Sequence, residues 1–487
     1  MQLYDKDLLS LQEVRGLIAR SVAAQAQVAA MTQPQVDKLV KAIADAGVKY
    51  ARKLAEMAVE ETGFGVVQDK VIKNIFASSG VYDRIKDLKT VGIIAGNKDE
   101  QIMDIAVPVG VVAGLVPSTN PTSTVIFKAQ IAIKAANSII FSPHPNAKKC
   151  ILETVRILRD AIAQAGGPED LVLCISIPTA GATEALMKHK DTKLILATGG
   201  SAMVRAAYSS GTPAIGVGPG NGPAYIERSA DLKQAVKRII DSKTFDNGTI
   251  CASEQSVITE PDMKEAVKNE MQSQGAYFLS KEQADKLGKF ILRANGTMNP
   301  AIVGKTAQVI AQLAEIEIPK DTKVLVAEES GVGVGHPYSN EKLAPILGFY
   351  TAENYKEVCK RCVEILNYEG AGHTFMIHSK NKEIIEYFAT RVPVSRFLVN
   401  TAGALGGVGA TTYLMPSYTL GSGAVGGSST SENVGPLNLM NIRKVAHGIR
   451  DLDDIRRDTK VNTGTSTVTT IDVDNIVKMI IEKMQNN

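Results

Sequence analysis

Tryptophan is absent from this chain, and aromatic side chains make up only 5% of its 487 residues. Its 54 basic side chains, set against 51 acidic ones, are spread along the sequence. The stacking platform and the electrostatic footprint of a nucleic-acid binder are therefore both missing. Long apolar runs are missing too. The stretches at residues 105–117 and 131–143 are interrupted by Pro, Gly or Lys and are too short to span a bilayer. The N-terminus carries Asp5, Asp7 and Glu13 in place of an apolar secretory core, so the reading is a cytoplasmic chain with reduced thiols. Charged residues at 22% and hydrophobic ones at 44% are those of an ordinary globular protein, and the length predicts two or three domains.

Hydrophobic periodicity predicts helices over residues 11–70, with Val36, Leu39, Val40 and Ile43 on one stripe. Two short β-type runs follow, at 91–94 and 102–107, suited to a hairpin or ribbon. Strand and helix then alternate: strands at 109–116, 138–141, 171–175 and 194–197, and helices at 122–136 and 147–165. Such alternation gives a parallel sheet with helices on both faces, and the runs at 214–217 and 224–226 are expected to continue it. A second α/β lobe is expected beyond a boundary near 227–231. Residues 451–471 read as a flexible polar linker. After it, with Asp472 as N-cap, Val473, Ile476, Val477, Ile480, Ile481 and Met484 occupy one helical face. That helix either docks on its own subunit or tethers a partner or shell.

Of five cysteines, Cys150, Cys174, Cys359 and Cys362 sit in apolar or helical settings and read as core residues. Cys251 differs, because it follows Asp246-Asn247-Gly248, turn chemistry in which Asn and Gly tolerate left-handed backbone angles and Asp bonds locally to the chain. A thiolate near exposed backbone N–H groups has a depressed pKa and attacks carbonyl carbons; in an apolar core the same thiol is inert. Asn120, in Pro117-Ser118-Thr119-Asn120-Pro121, stands where a strand gives way to a helix. It either caps that helix or donates to an oxygen that becomes negative when a thiolate adds to an aldehyde. Thr198-Gly199-Gly200-Ser201 follows a strand and opens a helix, which suits a phosphate. The glycine-dense run from Gly216 to Gly222 implies close backbone approach to a ligand or to Cys251, or only a tight turn. The G-x-G-x-x-G string at Gly421 to Gly426 precedes no helix, and Cys359-x-x-Cys362 has no second ligand pair, so neither is read as a site and no metal is expected.

Taken together, residues 117–124, Ile140-Phe141-Ser142-Pro143-His144-Pro145, Thr198-Gly199-Gly200, residues 246–255, Glu341-Lys342-Leu343-Ala344-Pro345 and Ser431-Glu432-Asn433-Val434-Gly435-Pro436 resemble the CoA-acylating aldehyde dehydrogenases. The likeness runs over residues 11–450 and is nearest to the aldehyde dehydrogenase half of the bifunctional aldehyde–alcohol dehydrogenases. It implies a Rossmann-like NAD-binding domain (1–89 and 109–228), a catalytic cysteine domain (229–432) and oligomerisation elements of β type (90–108 and 433–450). By the same resemblance Cys251 is the nucleophile, and Asn120 with the Cys251 N–H forms the oxyanion hole. Thr119, Thr198, Gly199, Gly200, Ser201 and Gly218 would border the NAD, Ser142, Pro143, His144 and Pro145 its adenosine ribose, and Glu341 its nicotinamide ribose. His373 matches a histidine of the acylating branch that would help deprotonate the CoA thiol; as a lone histidine it is equally a loop residue.

Hydrolytic relatives carry a water-activating glutamate where this chain has Val217-Gly218-Pro219-Gly220, and without a base water attacks a thioester slowly. The expected reaction is therefore reversible conversion of a short aldehyde, acetaldehyde or propionaldehyde, with CoA and NAD to acyl-CoA and NADH. The alternatives are a hydrolytic enzyme, a sulfoacetaldehyde-type enzyme, and a microcompartment assembly component. The glutamyl-phosphate reductases, which also use a cysteine and a nicotinamide cofactor, are disfavoured by residues 246–255 and the final Gly-rich segment. The resemblance also implies at least a homodimer. The sequence ends soon after the first half of the bifunctional relatives, so a separate alcohol dehydrogenase is an expected partner. The terminal helix is read as targeting the enzyme to a bacterial microcompartment.

Overall fold

A computed structural model describes residues 5–97, 99–293, 296–462 and 473–485. Four helices open the chain, Lys6–Ala29, Gln33–Lys49, Ala51–Thr62 and Val67–Ile75. Local chemistry sets their ends: the Asp5 carboxylate accepts from the Asp7 and Leu8 N–H groups, Thr32 and Gln35 form a capping box, and Gly63 closes the third helix at φ 66°.

The strands are β1 (Gly92–Asn97), β2 (Ile102–Pro108), β3 (Val111–Val116), β4 (Ser138–Pro143), β5 (Val172–Cys174), β6 (Thr192–Thr198) and β7 (Ala214–Val217), then β8 (Gly222–Ile226), β9 (Glu254–Thr259), β10 (Ala276–Phe278), β11 (Val324–Glu328), β12 (Ile346–Thr351), β13 (Gly372–His378), β14 (Val394–Val399) and β15 (Met440–Ala446). A five-stranded parallel sheet has the order β5-β4-β3-β6-β7. Its strands alternate between two cores. Val112, Val116, Ile139 and Phe141 pack with helices Gln33–Lys49, Pro121–Lys134 and Lys148–Gln164, while Val111, Ala113, Leu115 and Ile140 pack with helices Lys6–Ala29 and Ala180–Lys188. Burial on both faces explains why these strands read as continuous apolar runs.

A seven-stranded parallel sheet follows, in the order β10-β11-β12-β9-β8-β13-β14. Helix Leu232–Thr244 covers one face through Val236 and Ile239, and helix Tyr355–Tyr368 the other through Val358 and Cys362. One expectation fails here. The run at 224–226 does not extend the first sheet: β8 pairs with β9 and β13 in the second, so the switch falls between Val217 and Gly222, ahead of the expected 227–231 boundary. Gly218-Pro219-Gly220 reads as a turn within one sheet as readily as a crossing between two, and only the partners of β8 distinguish them.

The chain divides into two compact units, residues 1–92 with 106–442, and residues 93–105 with 443–487. Strands β1, β2 and β15 form a three-stranded sheet in the order β1-β2-β15, so the two segments expected to hold oligomerisation elements pair with each other. Lys444 bonds Asp104 at 2.7 Å within the second unit. The expected linker is helical over Leu452–Asn462, with Asp453 and Asp454 in its first turn and Arg456 and Arg457 paired to them at i,i+3. This helix rests on capping and ion pairs, which a search for apolar periodicity passes over. Residues 463–471 and the N-cap Asp472 lie outside the described residues. Helix Val473–Gln485 is present, and its Ile476, Val477, Ile480, Ile481 and Met484 are exposed. No described helix is long and apolar enough to cross a membrane.

Candidate active site

The C-terminal ends of β3, β4 and β6 open onto a cavity of about 650 Å³ whose far wall carries Thr249, Cys251 and Glu341. The carboxyl ends of parallel strands are where open α/β sheets hold ligands.

Cys251 reaches this wall through an unusual piece of chain. Helix Leu232–Thr244 ends, and Asp246 (φ 50°), Asn247 (φ 52°) and Gly248 (φ 76°) then take three consecutive left-handed conformations. Asn and Gly adopt that region at little cost; an aspartate there needs support. The flanking Ile250 and Ala252 are buried in a small core, while Cys251 between them is partly exposed to the cavity. The other four cysteines are buried, as their settings predict. The glycine-dense run makes the expected close approach: a Cβ on Gly220 would lie 2.0 Å from the Cys251 carbonyl oxygen.

The support for Asp246 comes from the helix Val67–Ile75, which sequence reading left without a role. The fully buried Asp246 carboxylate accepts from the Val66 N–H at 2.7 Å, the Thr249 hydroxyl at 2.7 Å, Lys70 Nζ at 2.9 Å and Lys73 Nζ. Asp69 in turn accepts the Asp246 N–H at 2.7 Å. The two ammonium groups hold Asp246 below the usual carboxylate range against the opposing effect of its burial. The one signal available beforehand was a pair of lysines at i,i+3 on the buried face of an amphipathic helix.

Asn120 is the N-cap residue of helix Pro121–Lys134, but its side chain makes no capping hydrogen bond. Its Nδ2 donates to the Thr249 carbonyl at 3.1 Å and its Oδ1 accepts from Lys73 Nζ at 2.7 Å, and it lines the same cavity as Cys251.

The cysteine itself departs from expectation. Burial and the nearby Glu341 carboxyl push its thiol up to about 12, while Arg396 and Lys73 pull it down only in part. The thiol is thus protonated at neutral pH, as an apolar setting and not a set of exposed N–H groups would leave it. Glu341 accepts the Gly220 N–H at 2.9 Å and is itself raised to about 8 by burial and by Glu369. Among the described lining residues it is the one carboxylate; Val217, Gly218 and Pro219 line the cavity with none.

Of the expected site residues, Thr119, Asn120, Ser142, Pro143, His144, Pro145, Thr198, Gly199, Gly200, Gly218, Cys251 and Glu341 all border the cavity. Ser201 and His373 do not. Ser201 begins helix Ser201–Tyr208 directly behind Gly200. His373, on β13, is buried, with its ring 3.1 Å from where a Gly220 Cβ would stand. Its Nδ1 pairs with the Thr374 hydroxyl at 2.8 Å, and Nε2 has no partner. Burial and the Arg396 charge push it down to about 3, so the ring is neutral.

The opposite wall fits a dinucleotide. A Cβ on Gly200 would meet nothing within 4 Å, and one on Gly199 nothing closer than 3.8 Å, so packing does not demand glycine there and the room is free for a ligand. The helix starting at Ser201 turns its N-terminus to that space, which favours a phosphate. The same wall offers a Ser142–Thr183 hydroxyl pair at 2.7 Å, and His144, whose pKa is lowered by partial desolvation. Among the described residues no cluster of His, Cys, Asp or Glu could hold a metal ion.

Residues 7–411 match the model of the aldehyde dehydrogenase family, and the chain belongs to that family. It is 43% identical over 442 residues to the bifunctional aldehyde-alcohol dehydrogenase AdhE of Escherichia coli K12, covering 90% of this chain and 50% of that protein. The chain spans about half the length of the curated relatives it matches first. Among solved structures, a probable aldehyde dehydrogenase of Listeria monocytogenes is 64% identical, with a TM-score of 0.92 over 93% of this chain and 100% of that one. An acetylating aldehyde dehydrogenase of Geobacillus thermoglucosidasius is 52% identical, with a TM-score of 0.91 over 92% of this chain and 99% of that one.

Proposed function

We propose that the protein is a CoA-acylating aldehyde dehydrogenase that interconverts a short aldehyde, CoA and NAD with acyl-CoA, NADH and a proton. The observation that carries this reading is a thiol facing a cavity whose 217–219 wall has no carboxylate to activate water. The single lining carboxylate, Glu341, is already bonded to Gly220 N–H and largely protonated near neutral pH.

Cys251 Sγ loses its proton and adds to the aldehyde carbon, giving a thiohemiacetal oxyanion. Asn120 Nδ2 and the Cys251 N–H stabilise that charge. NAD, when bound, would lie against Thr119, Thr198, Gly199, Gly200 and Gly218, with the helix start at Ser201 behind them, its adenosine ribose by Ser142 to Pro145 and its nicotinamide ribose by Glu341, and would supply the hydride acceptor. The thioester left on Cys251 meets no positioned water base and persists until the CoA sulfur attacks the same carbon and Cys251 departs. His373 lies one layer behind this chemistry, so its part in CoA deprotonation requires a relay or a shift of the Gly220 segment.

NADH formation over C2 to C4 aldehydes, with and without CoA, tests the reading. Turnover should depend on CoA, and omitting CoA should leave an acyl mass on the Cys251 peptide; CoA-independent turnover to a free acid would overturn it. Acetaldehyde and propionaldehyde differ by one methylene, worth about 1–3 kcal/mol in an apolar pocket, so the panel also ranks substrates. The β1-β2-β15 sheet is the proposed dimerisation element. The exposed apolar face of helix Val473–Gln485 supports a tethering role toward a microcompartment shell or a separate alcohol dehydrogenase, within a cytoplasmic location. Deleting residues 473–487 should abolish co-sedimentation with shells while turnover is kept; lost turnover would favour a helix docked on its own subunit.

A further inference from the structure

Lys73 belongs to no motif, yet it is 2% exposed and bonds to three groups around the nucleophile. Its Nζ donates to Asn120 Oδ1 at 2.7 Å, to Thr249 Oγ1 at 3.0 Å and to the Asp246 carboxylate. A buried ammonium carries a desolvation cost of several kcal/mol, so its position calls for an explanation beyond packing. Neutralising Asp246 is not sufficient. Lys70 already donates to the same carboxylate oxygen at 2.9 Å, and its remaining bond goes to the Thr119 carbonyl at 2.9 Å.

What Lys73 adds, together with the Thr249 carbonyl that only accepts, is direction. An asparagine amide can turn over and exchange its oxygen for its nitrogen, whereas a lysine ammonium only donates. With Lys73 on one side and the Thr249 carbonyl on the other, the amide oxygen of Asn120 faces the lysine and the NH₂ faces Thr249, two residues before Cys251, while the same nitrogen lies 3.3 Å from the Thr119 hydroxyl. The helix cap makes no competing demand, because the Asn120 side chain bonds none of its N–H groups. We propose that Lys73 is a positioning residue that locks the Asn120 amide with its donors toward the oxygen of the Cys251 adduct, and that Asp246 couples this lock to the left-handed turn that sets the sulfur. Burial lowers Lys73 to about 8 while Asp246 opposes the shift, so the ammonium persists at neutral pH.

This inference rests on the acyl-enzyme reading, and the test separates the two. Lys73→Met and Asn120→Ala are made singly and together, with Lys70→Met as the comparison that disturbs Asp246 and the Thr119 carbonyl but removes no bond of the Asn120 amide. NADH formation is followed in the first turnover, and NAD affinity and melting temperature are measured on every variant. Lys73→Met should slow acylation about 10²-fold, as loss of one oxyanion donor does. Combined with Asn120→Ala it should add less than about threefold to the loss of Asn120→Ala alone, whereas Lys70→Met and Asn120→Ala should multiply. Multiplicative losses for Lys73→Met, or a loss under about threefold, would overturn the role. If Lys73→Met fails to fold, the charge-balanced pair Lys73→Met with Asp246→Asn replaces it, since asparagine tolerates the left-handed angle; the same non-additivity is expected and its absence is decisive. A wild-type enzyme that forms no Cys251 adduct defeats the acyl-enzyme reading, while a normal wild-type adduct with multiplicative losses defeats only the role of Lys73.

Discussion

The two walls of the cavity are built on opposite plans. The wall at the ends of β3, β4 and β6 presents backbone, hydroxyls and a histidine to the cavity, and Gly199 and Gly200 leave open room. The wall that carries Cys251 is backed by buried ionisable side chains: the Asp246 carboxylate with Lys70 and Lys73, then Lys243 and Lys342 near Glu341, all three shifted toward neutrality by burial, and Arg396 beyond His373. A cofactor that must leave each cycle suits a surface held by modest, dispersed interactions. A sulfur and an amide that must keep one geometry through two additions and two departures suit a frame whose parts cannot shift without stranding a charge.

The sharpest way to test that contrast is the thiol itself. At pH 8 in the free enzyme, iodoacetamide should modify Cys251 about 10²- to 10³-fold more slowly than the same residue in the urea-unfolded chain, because a raised pKa leaves less thiolate. The folded rate should keep climbing with pH toward about 12, while the unfolded one levels off near an ordinary thiol pKa. Rates that coincide would mean that burial and the Glu341 carboxyl do not hold the proton on. Next in size is Asp246→Ala, which leaves two buried ammoniums without a carboxylate and should cost about 3–5 kcal/mol in urea unfolding. Gly220→Ala should cost about 1–3 kcal/mol and lower turnover, since its methyl would overlap the Cys251 carbonyl and that backbone has no slack. On the cofactor wall the response should be small: Thr183→Val removes one hydroxyl from the pair with Ser142 and should raise the KM for NAD only a few-fold, with kcat unchanged. A large kcat loss there would erase the distinction between the walls.

What was legible beforehand followed from how far apart the cooperating residues lie. Asp246-Asn247-Gly248 announced a left-handed turn because backbone freedom is written in the residue types themselves, and the strands of the first sheet announced their burial through continuous apolar runs. Gly220 announced a close approach for the same reason. The Lys73–Asp246 pairing was hidden: its members are 173 positions apart, and a lysine in a helix reads as solvated until its partner is known. The transfer of β8 to the second sheet was hidden because a Gly-Pro-Gly crossing has the composition of a turn. The protonated state of Cys251 was hidden because burial and the approach of Glu341 are tertiary facts. His373 matched a family histidine by sequence, but its depth behind Gly220 depends on the packing of β13.

Because Cys251 is located from behind, by the turn at 246–248, the side chains in front of it carry no duty of alignment. Phe64, Met298, Val303 and Leu343 border the same cavity with apolar side chains. Descendants of this scaffold can therefore trade these four positions freely to admit longer, branched or more polar aldehydes, and the reactive atom will still be found at the same address.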